Sequence, residues 1–304
     1  MLEIIKTSSE EEWLELRKHD ITSTESAALF GLSPYITELE LFYRKQTGES
    51  SDFNENKRMK AGRILEPAIA QMASEELDVT IEPFKEYGRD ETRMGSSFDF
   101  QITTGKYQGW LLEIKNVDFL IYRDQWEDDE APDHIEVQCQ HQLELTGRDG
   151  IIIACLVGGN ELKLIVRPRN EKMGRGIRQA INRFWQSVAD NNPPKPDFSR
   201  DADFIISLHQ RAGDKVESVE EGSITYNLIK EYRFSRQVAI EADKQSKALK
   251  AEILDMIGDG PNKVLAGLMT LSCGEIAETE VEAYTRKGYR NFRVTEKKPK
   301  KEKK

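Results

Sequence analysis

"MGSSFDFQITTGKYQGWLLEIKN", residues 94–116, sets charges among the apolar residues of what reads as two strands joined by a glycine-containing turn. Asp99 stands between Phe98 and Phe100, and Glu113 and Lys115 flank Ile114. Side chains alternate faces along a strand, so Glu113 and Lys115 point one way and Ile114 the other. Asp99, on the adjoining strand, can reach the same spot across the turn. Two carboxylates close together repel, and burying either alone is costly. A hard divalent cation removes both problems: Mg²⁺ takes oxygen ligands, commonly one or two carboxylates plus substrate phosphate oxygens. A lysine beside it can position attacking water or stabilise charge developing on phosphate. Glu66, on a preceding helix end, could add a third carboxylate. The same spacing also fits an exposed cross-strand charge pattern with no chemistry attached.

Around this stretch the hydrophobic periods alternate between helix and strand. Residues 9–18, 22–31 and 37–49 read as helices, the last stopped by Gly48. Residues 57–77 carry a helical stripe interrupted by Pro67, which places Glu66 where a helix starts or kinks. Strands follow at 79–89, 96–103 and 109–117, then a helix over 134–147 closed by Gly147. Ile135, Cys139 and Leu143 form that helix's buried stripe, with Gln138 on one flank and Gln140 on the other. Gln140 and Gln142 fit a solvated face as well as a buried one. Residues 150–159 are apolar and β-branched, a buried strand, paired with 161–169 across a Gly-Gly-Asn turn. A helix over 171–190 precedes "NNPPKPDFSRDAD" (191–203), the best boundary. Beyond it, 218–257 is charge-rich and helical and 263–295 reads as short strands. The pattern predicts an α/β fold with its strands gathered in the middle. It divides into a core over 1–195, an extension of long helices and short strands over 196–296, and a disordered basic tail over 297–304.

Composition narrows the function classes. The 304 residues suffice for one large domain or two ordinary ones, 32% of them are charged, and mean hydropathy is -0.63. No apolar run approaches the ~18 residues of a membrane helix, and the acidic start "MLEIIKTSSEEEWLELRKHD" is unlike a signal or transit peptide. Cys139, Cys155 and Cys273 are too sparse for a disulfide framework or a metal-thiolate site, which suits a reducing cytosol. Net charge is -10, with a tail "KKPKKEKK" at 297–304, so the rest is more acidic still. Taken alone this disfavours nucleic acid, although a basic groove or bound metal reverses the sign locally. No Gly-x-x-x-x-Gly-Lys-Ser/Thr run is present, which argues against a nucleotide-driven motor.

"SFD…LLEIKN" resembles the PD-(D/E)xK nuclease motif, with Phe98 in the proline position. The order of the other pieces resembles one branch, the phage-lambda-exonuclease and YqaJ-type viral recombinase family. "WLELRKHDITSTESAALFGLSPYITELELFYRKQTGE" (13–49) is similar to its N-terminal signature, and "AGRILEP" (61–67) to its Gly-x-x-x-Glu-Pro helix. "APDHIEVQCQHQLELTG" (131–147) is similar to its Gln-x-Gln helix and "RKGYRNFRV" (286–294) to its ending. The resemblance implies a restriction-endonuclease-like core, a central mixed sheet flanked by helices. It implies metal ligands at Asp99, Glu113 and the Ile114 carbonyl, with Glu66 joining directly or through water, and Lys115 as the catalytic lysine. Gln138 would touch substrate or the groups around the metal. Arg17, Thr24 and Ser97 would hold the 5′-phosphate. Thr24 stands where a relative has Ser, keeping the hydroxyl; His134-Ile135 stands where Tyr is usual, removing that contact.

By the same resemblance the activity is Mg²⁺-dependent, with Mn²⁺ able to substitute. It is a 5′→3′ exonuclease on double-stranded DNA ends, exposing 3′ single strands for phage-type recombination. A single-strand annealing protein would be the partner, the assembly a homo-oligomer such as a trimeric ring, and the setting a bacterial cytoplasm, with phage or prophage origin. The rival readings are an endonuclease of the same superfamily and a non-catalytic DNA-binding or scaffolding protein on this fold.

Overall fold

The computed structural model describes residues 2–48, 57–126 and 130–279. The proposed ending at 286–294 and the basic tail lie outside them. The chain divides into two compact units, Met1–Ile205 and Ile206–Lys304.

In the first unit, β1 (Glu3–Ile5) leads to α1 (Glu10–His19), capped by the Ser9 side chain, and then to β2 (Ile21–Thr22). The helix expected at 22–31 is a short 3₁₀ segment, Ser26–Phe30, ended by left-handed Gly31. Five residues with buried Ser26, Ala27 and Ala28 leave no room for a longer amphipathic face. Next come α2 (Glu38–Thr47), capped by Thr37, and α3 (Lys57–Leu77). Pro67 lies in the middle of α3 and does not mark its start. An interior proline costs about 3 kcal/mol, yet the helix runs on because Ile69, Ala70 and Ala73 bury beyond it.

The stretch 79–89 splits into β3 (Ile81–Pro83) and β4 (Tyr87–Arg89), which join different sheets. The strand expected over 96–103 splits as well. Its first part is β5 (Met94–Ser97), in a four-stranded sheet ordered β1-β4-β5-β2. Its second part is β6 (Phe100–Ile102). β7 (Leu111–Val117), the short α4 (Phe119–Gln125), α5 (Asp133–Thr146), β8 (Gly150–Val157), β9 (Glu161–Pro168) and α6 (Glu171–Ala189) complete the core. The main sheet is ordered β3-β6-β7-β8-β9, with β7 and β8 parallel and the other pairs antiparallel. Helices flank this mixed sheet, so the α/β expectation holds.

Parity along β7 decides what meets each face. Leu112 and Ile114 pack with Ile69, Ala70 and Ala73 of α3. Leu111 belongs to the opposite cluster, with Ile135, Cys139 and Leu143 of α5 and Ile177 and Ile181 of α6. Glu113 and Lys115 share the parity of Leu111, so they rise on the α5 side. β8 is buried along its whole length, the near-continuous apolar run of a strand covered on both faces.

The second unit contains α8 (Ile224–Ile257), which follows α7 (Ala202–Leu208), and a hairpin of β10 (Lys263–Ala266) and β11 (Met269–Ser272). Among the described residues, the strands expected over 263–295 are this hairpin. No helix of the described residues is long and apolar enough to cross a membrane.

Candidate active site

Asp99 sits at the two-residue step between β5 and β6, where the chain leaves one sheet for the other. The antiparallel register sets Phe100 against Leu112 and Gln101 against Leu111, so its continuation sets Asp99 against Glu113. The Asp99 Oδ2 accepts a 2.8 Å hydrogen bond from the Ile114 amide. Upstream on β5, a side chain at Gly95 would collide with the Tyr87 hydroxyl, and the Gly95 carbonyl lies 3.0 Å from Nε2 of buried His141.

Glu113 is 3% exposed and fully engaged. Its Oε1 accepts from Lys115 Nζ at 2.6 Å and from the Gln138 amide at 2.6 Å, and its Oε2 accepts from the Gln142 amide at 2.9 Å. Lys115 also reaches the Gln138 oxygen at 3.2 Å. Gln138 and Gln142, four residues apart on α5, therefore grip both oxygens of one carboxylate. Gln140, on the other flank, is also buried, bonded to Glu136, the Pro168 carbonyl and the Asn170 amide. The solvated reading of Gln140 and Gln142 is thus corrected. Buried amides stay satisfied only with partners, and both have them.

One cleft of about 250 Å³ is lined by all nine residues singled out from the sequence: Glu66, Asp99, Glu113, Ile114, Lys115 and Gln138 beside Arg17, Thr24 and Ser97. Glu66 comes from α3, on the Ile114 face of the sheet, and the others from β7, the end of β5 and the β5–β6 step, α5, α1 and the turn after β2. Ser23, Gly62, Asn116 and Gln142 complete the lining. Sequence reasoning missed Gln142 as a site residue, although its four-residue spacing from Gln138 carried the signal.

The electrostatics follow from this crowding. Burial, then the charges of Glu113 and Glu66, push the Asp99 carboxyl well above the usual range, against the pull of Lys115 and the Ile114 amide. Glu66 is raised by burial and by Glu113. Burial pulls the Lys115 ammonium down, but Glu113 and Asp99 outweigh it and hold it above the ordinary lysine value, so it stays charged at neutral pH. Among the described residues, no three His, Cys, Asp or Glu side chains are gathered tightly enough to hold an ion as they stand. The donor chemistry nonetheless fits a hard cation. Three carboxylates line one cleft, and two of them have their ionised form disfavoured by burial and like charge, which a divalent ion would reverse.

The rest of the lining brings one guanidinium, Arg17, together with the hydroxyls of Ser23, Thr24 and Ser97. Arg17 lies over the Trp13 ring at 4.6 Å, and its guanidinium is 3.5 Å from the Thr24 hydroxyl. The Trp13 indole donates to Ser97 Oγ at 2.7 Å. Lys45 donates to the Arg17 carbonyl at 2.7 Å and to Glu25 at 2.9 Å, and Glu25 also accepts from the amide and hydroxyl of Thr22. Burial raises the Glu25 carboxyl, but Lys45 and Arg17 together bring it below the usual value. This half-buried pair ties the Arg17 backbone to the turn that carries Thr24.

Residues 12–149 match the family model of the YqaJ-like viral recombinase domain, the family that the sequence pieces resemble. The uncharacterized protein YqaJ of Bacillus subtilis (strain 168) is 22% identical over 263 residues, which span 81% of this chain and 77% of the relative. An alkaline exonuclease from Laribacter hongkongensis aligns over 64% of this chain and 99% of its own, at 17% identity and TM-score 0.49. A phage related exonuclease from Haemophilus somnus 129PT aligns over 57% and 96%, at 10% identity and TM-score 0.37.

Proposed function

We propose that this chain is a Mg²⁺-dependent deoxyribonuclease that degrades one strand of duplex DNA from its 5′ end, leaving 3′ single strands. The observation that carries this reading is the single cleft joining Asp99, Glu113, Glu66 and Lys115 to Arg17, Thr24 and Ser97. The match to a viral recombinase domain supports placing the activity in recombination. In that setting a single-strand annealing protein would receive the exposed strand, and a ring-shaped homo-oligomer would keep the enzyme on DNA.

Asp99, Glu113 and the Ile114 carbonyl would hold the metal, with Glu66 nearby; Mn²⁺ would satisfy the same oxygen donors. When bound, the metal supplies Lewis acidity toward the phosphate and a ready source of hydroxide. Lys115, charged, donates a hydrogen bond and stabilises negative charge on the phosphate as it is attacked. Gln138 and Gln142 hold Glu113 so that its oxygens keep one orientation. Arg17, Thr24 and Ser97 bind a terminal phosphate, for which a guanidinium fork and hydroxyls are suited.

Digestion of linear and covalently closed circular DNA tests the reading. With Mg²⁺ the linear form is expected to disappear while the circle survives, and EDTA stops the reaction. Cutting of the circle would favour an endonuclease. Binding of both forms without cutting would favour a scaffold on this fold. A second expectation concerns Arg17→Ala. It should slow cleavage of 5′-phosphorylated ends by roughly 10-fold or more, the scale of one charged hydrogen bond, and change unphosphorylated ends little. Equal losses on both ends, in parallel time courses, would reduce Arg17 to a structural role.

A further inference from the structure

We propose that α8 joins two copies of this chain, its apolar face running antiparallel to the same face of the second copy. The 34 residues of α8 span roughly 50 Å, and none of them is buried among the described residues. Leu228 is 58% exposed, Leu249 52% and Ile253 42%. Soluble monomers rarely leave clusters of large apolar side chains such as these in water.

The face has the spacing of a helix-pairing seam. Leu228, Tyr232, Leu249 and Ile253 supply its large residues, and Ser235, Ala239, Ala242 and Ser246 lie between them. Successive members are alternately four and three residues apart, the heptad spacing that keeps one seam toward a partner helix. The order is also symmetric about the peptide bond between Ile240 and Glu241. Read in either direction, it gives two large, four small and two large residues. An antiparallel copy therefore sets Leu228 against the partner's Ile253, Tyr232 against the partner's Leu249, and Ala239 against the partner's Ala242. Each contact recurs with the copies exchanged, as a two-fold interface requires. The small centre lets the helices approach and the large ends close the seam.

Two further features favour this occupant. The β10–β11 hairpin borders the C-terminal half of the seam, forming an open groove of about 750 Å³ lined by Ala242, Ser246, Leu249 and Ile253 with Leu271 and Cys273. Antiparallel pairing lays the N-terminal half of one helix, with Leu228 and Tyr232, in the groove of the other, and fills both grooves alike. Along one side of the seam, Arg236 comes beside the partner's Asp243 twice over, placing opposite charges together near the centre. The like-charged Glu231 and the partner's Glu252 meet only toward its ends. This pairing is separate from any ring formed by the first unit and does not depend on the nuclease reading.

Light scattering on the full chain, without DNA or metal, tests it. Leu249→Glu combined with Ile253→Glu should halve the wild-type mass, whether the paired bodies are single chains or rings. Lys244→Gln, on the outer face, should leave the mass unchanged. Disulfide trapping gives an independent readout should the Glu pair lower the helicity seen by circular dichroism. Mixed Ala239→Cys and Ala242→Cys proteins should cross-link to each other far more than either does alone. A wild-type mass of one chain, a mass unmoved by the Glu pair, or preferential trapping of Ala239→Cys with itself would overturn the proposal.

Discussion

Lys115→Ala is expected to lower the rate of DNA cleavage by roughly 10²–10³-fold, the cost of removing one donor aimed at developing charge. The structure adds a consequence that spacing alone does not carry. Lys115 is the only cation on Glu113 among the described hydrogen bonds, and the Gln138 and Gln142 amides are its other donors. Without the ammonium, the buried carboxylate keeps two neutral partners but faces Asp99 and Glu66 unopposed. The metal-free variant should therefore lose about 1–3 kcal/mol of stability, the penalty for a buried charge short of one partner. Mg²⁺ at millimolar concentration should return much of it, because a divalent ion supplies the missing positive charge. Thermal melts with and without Mg²⁺ measure the stability, and a gel assay measures the rate. Wild-type cleavage by this variant would remove Lys115 from the chemistry, whereas a melt indifferent to Mg²⁺ in variant and wild type alike would remove the metal.

The features legible in the sequence were those set by local periodicity. The i, i+2 relation of Glu113 and Lys115 follows from strand geometry, and the burial of Leu111 opposite Leu112 confirms the parity. The four-residue stripe Ile135, Cys139, Leu143 placed α5 face down on that side of the sheet, with Gln138 beside it. What could not be read were departures from period. The stretch 96–103 alternates like one strand, but the chain passes from one sheet to another at Phe98 and Asp99. That passage delivers Asp99 to Glu113, and no local pattern encodes it because β5 takes its partners β2 and β4 in one sheet while β6 takes β3 and β7 in the other. Pro67 misled for a related reason. Its local cost is overridden by Ile69, Ala70 and Ala73 packing on Leu112 and Ile114, a tertiary gain invisible in the helix itself. The Glu25–Lys45 pair behind Arg17 joins residues 20 apart in sequence, one on the turn after β2 and one on α2. Nothing in either segment alone marks them as partners.

Asp99→Asn should be as damaging to cleavage as any single change, and yet benign to the metal-free fold. The asparagine oxygen can still accept from the Ile114 amide, so the β5–β6 step keeps its anchor. The substitution removes a carboxylate whose ionisation is opposed by burial and by the charges of Glu113 and Glu66. In wild type the folded pKa of Asp99 lies well above its ordinary 3.8. The native chain therefore binds more protons than the unfolded chain, and metal-free stability falls as pH rises from about 4 toward that raised value. Asp99→Asn should lack this decline, melting at or above the wild-type temperature at pH 7 in EDTA. With Mg²⁺ the order should invert: wild type gains stability, more so at higher pH as Asp99 ionises, and the variant gains little. Cleavage should drop by at least about 10³-fold, since losing a metal ligand forfeits several kcal/mol of charge stabilisation. Melts at pH 5 and pH 8, each with EDTA and with Mg²⁺, separate the two effects. If the variant is less stable than wild type in EDTA, Asp99 serves the fold through its charge, and the like-charge crowding that calls for a cation in this cleft is not there.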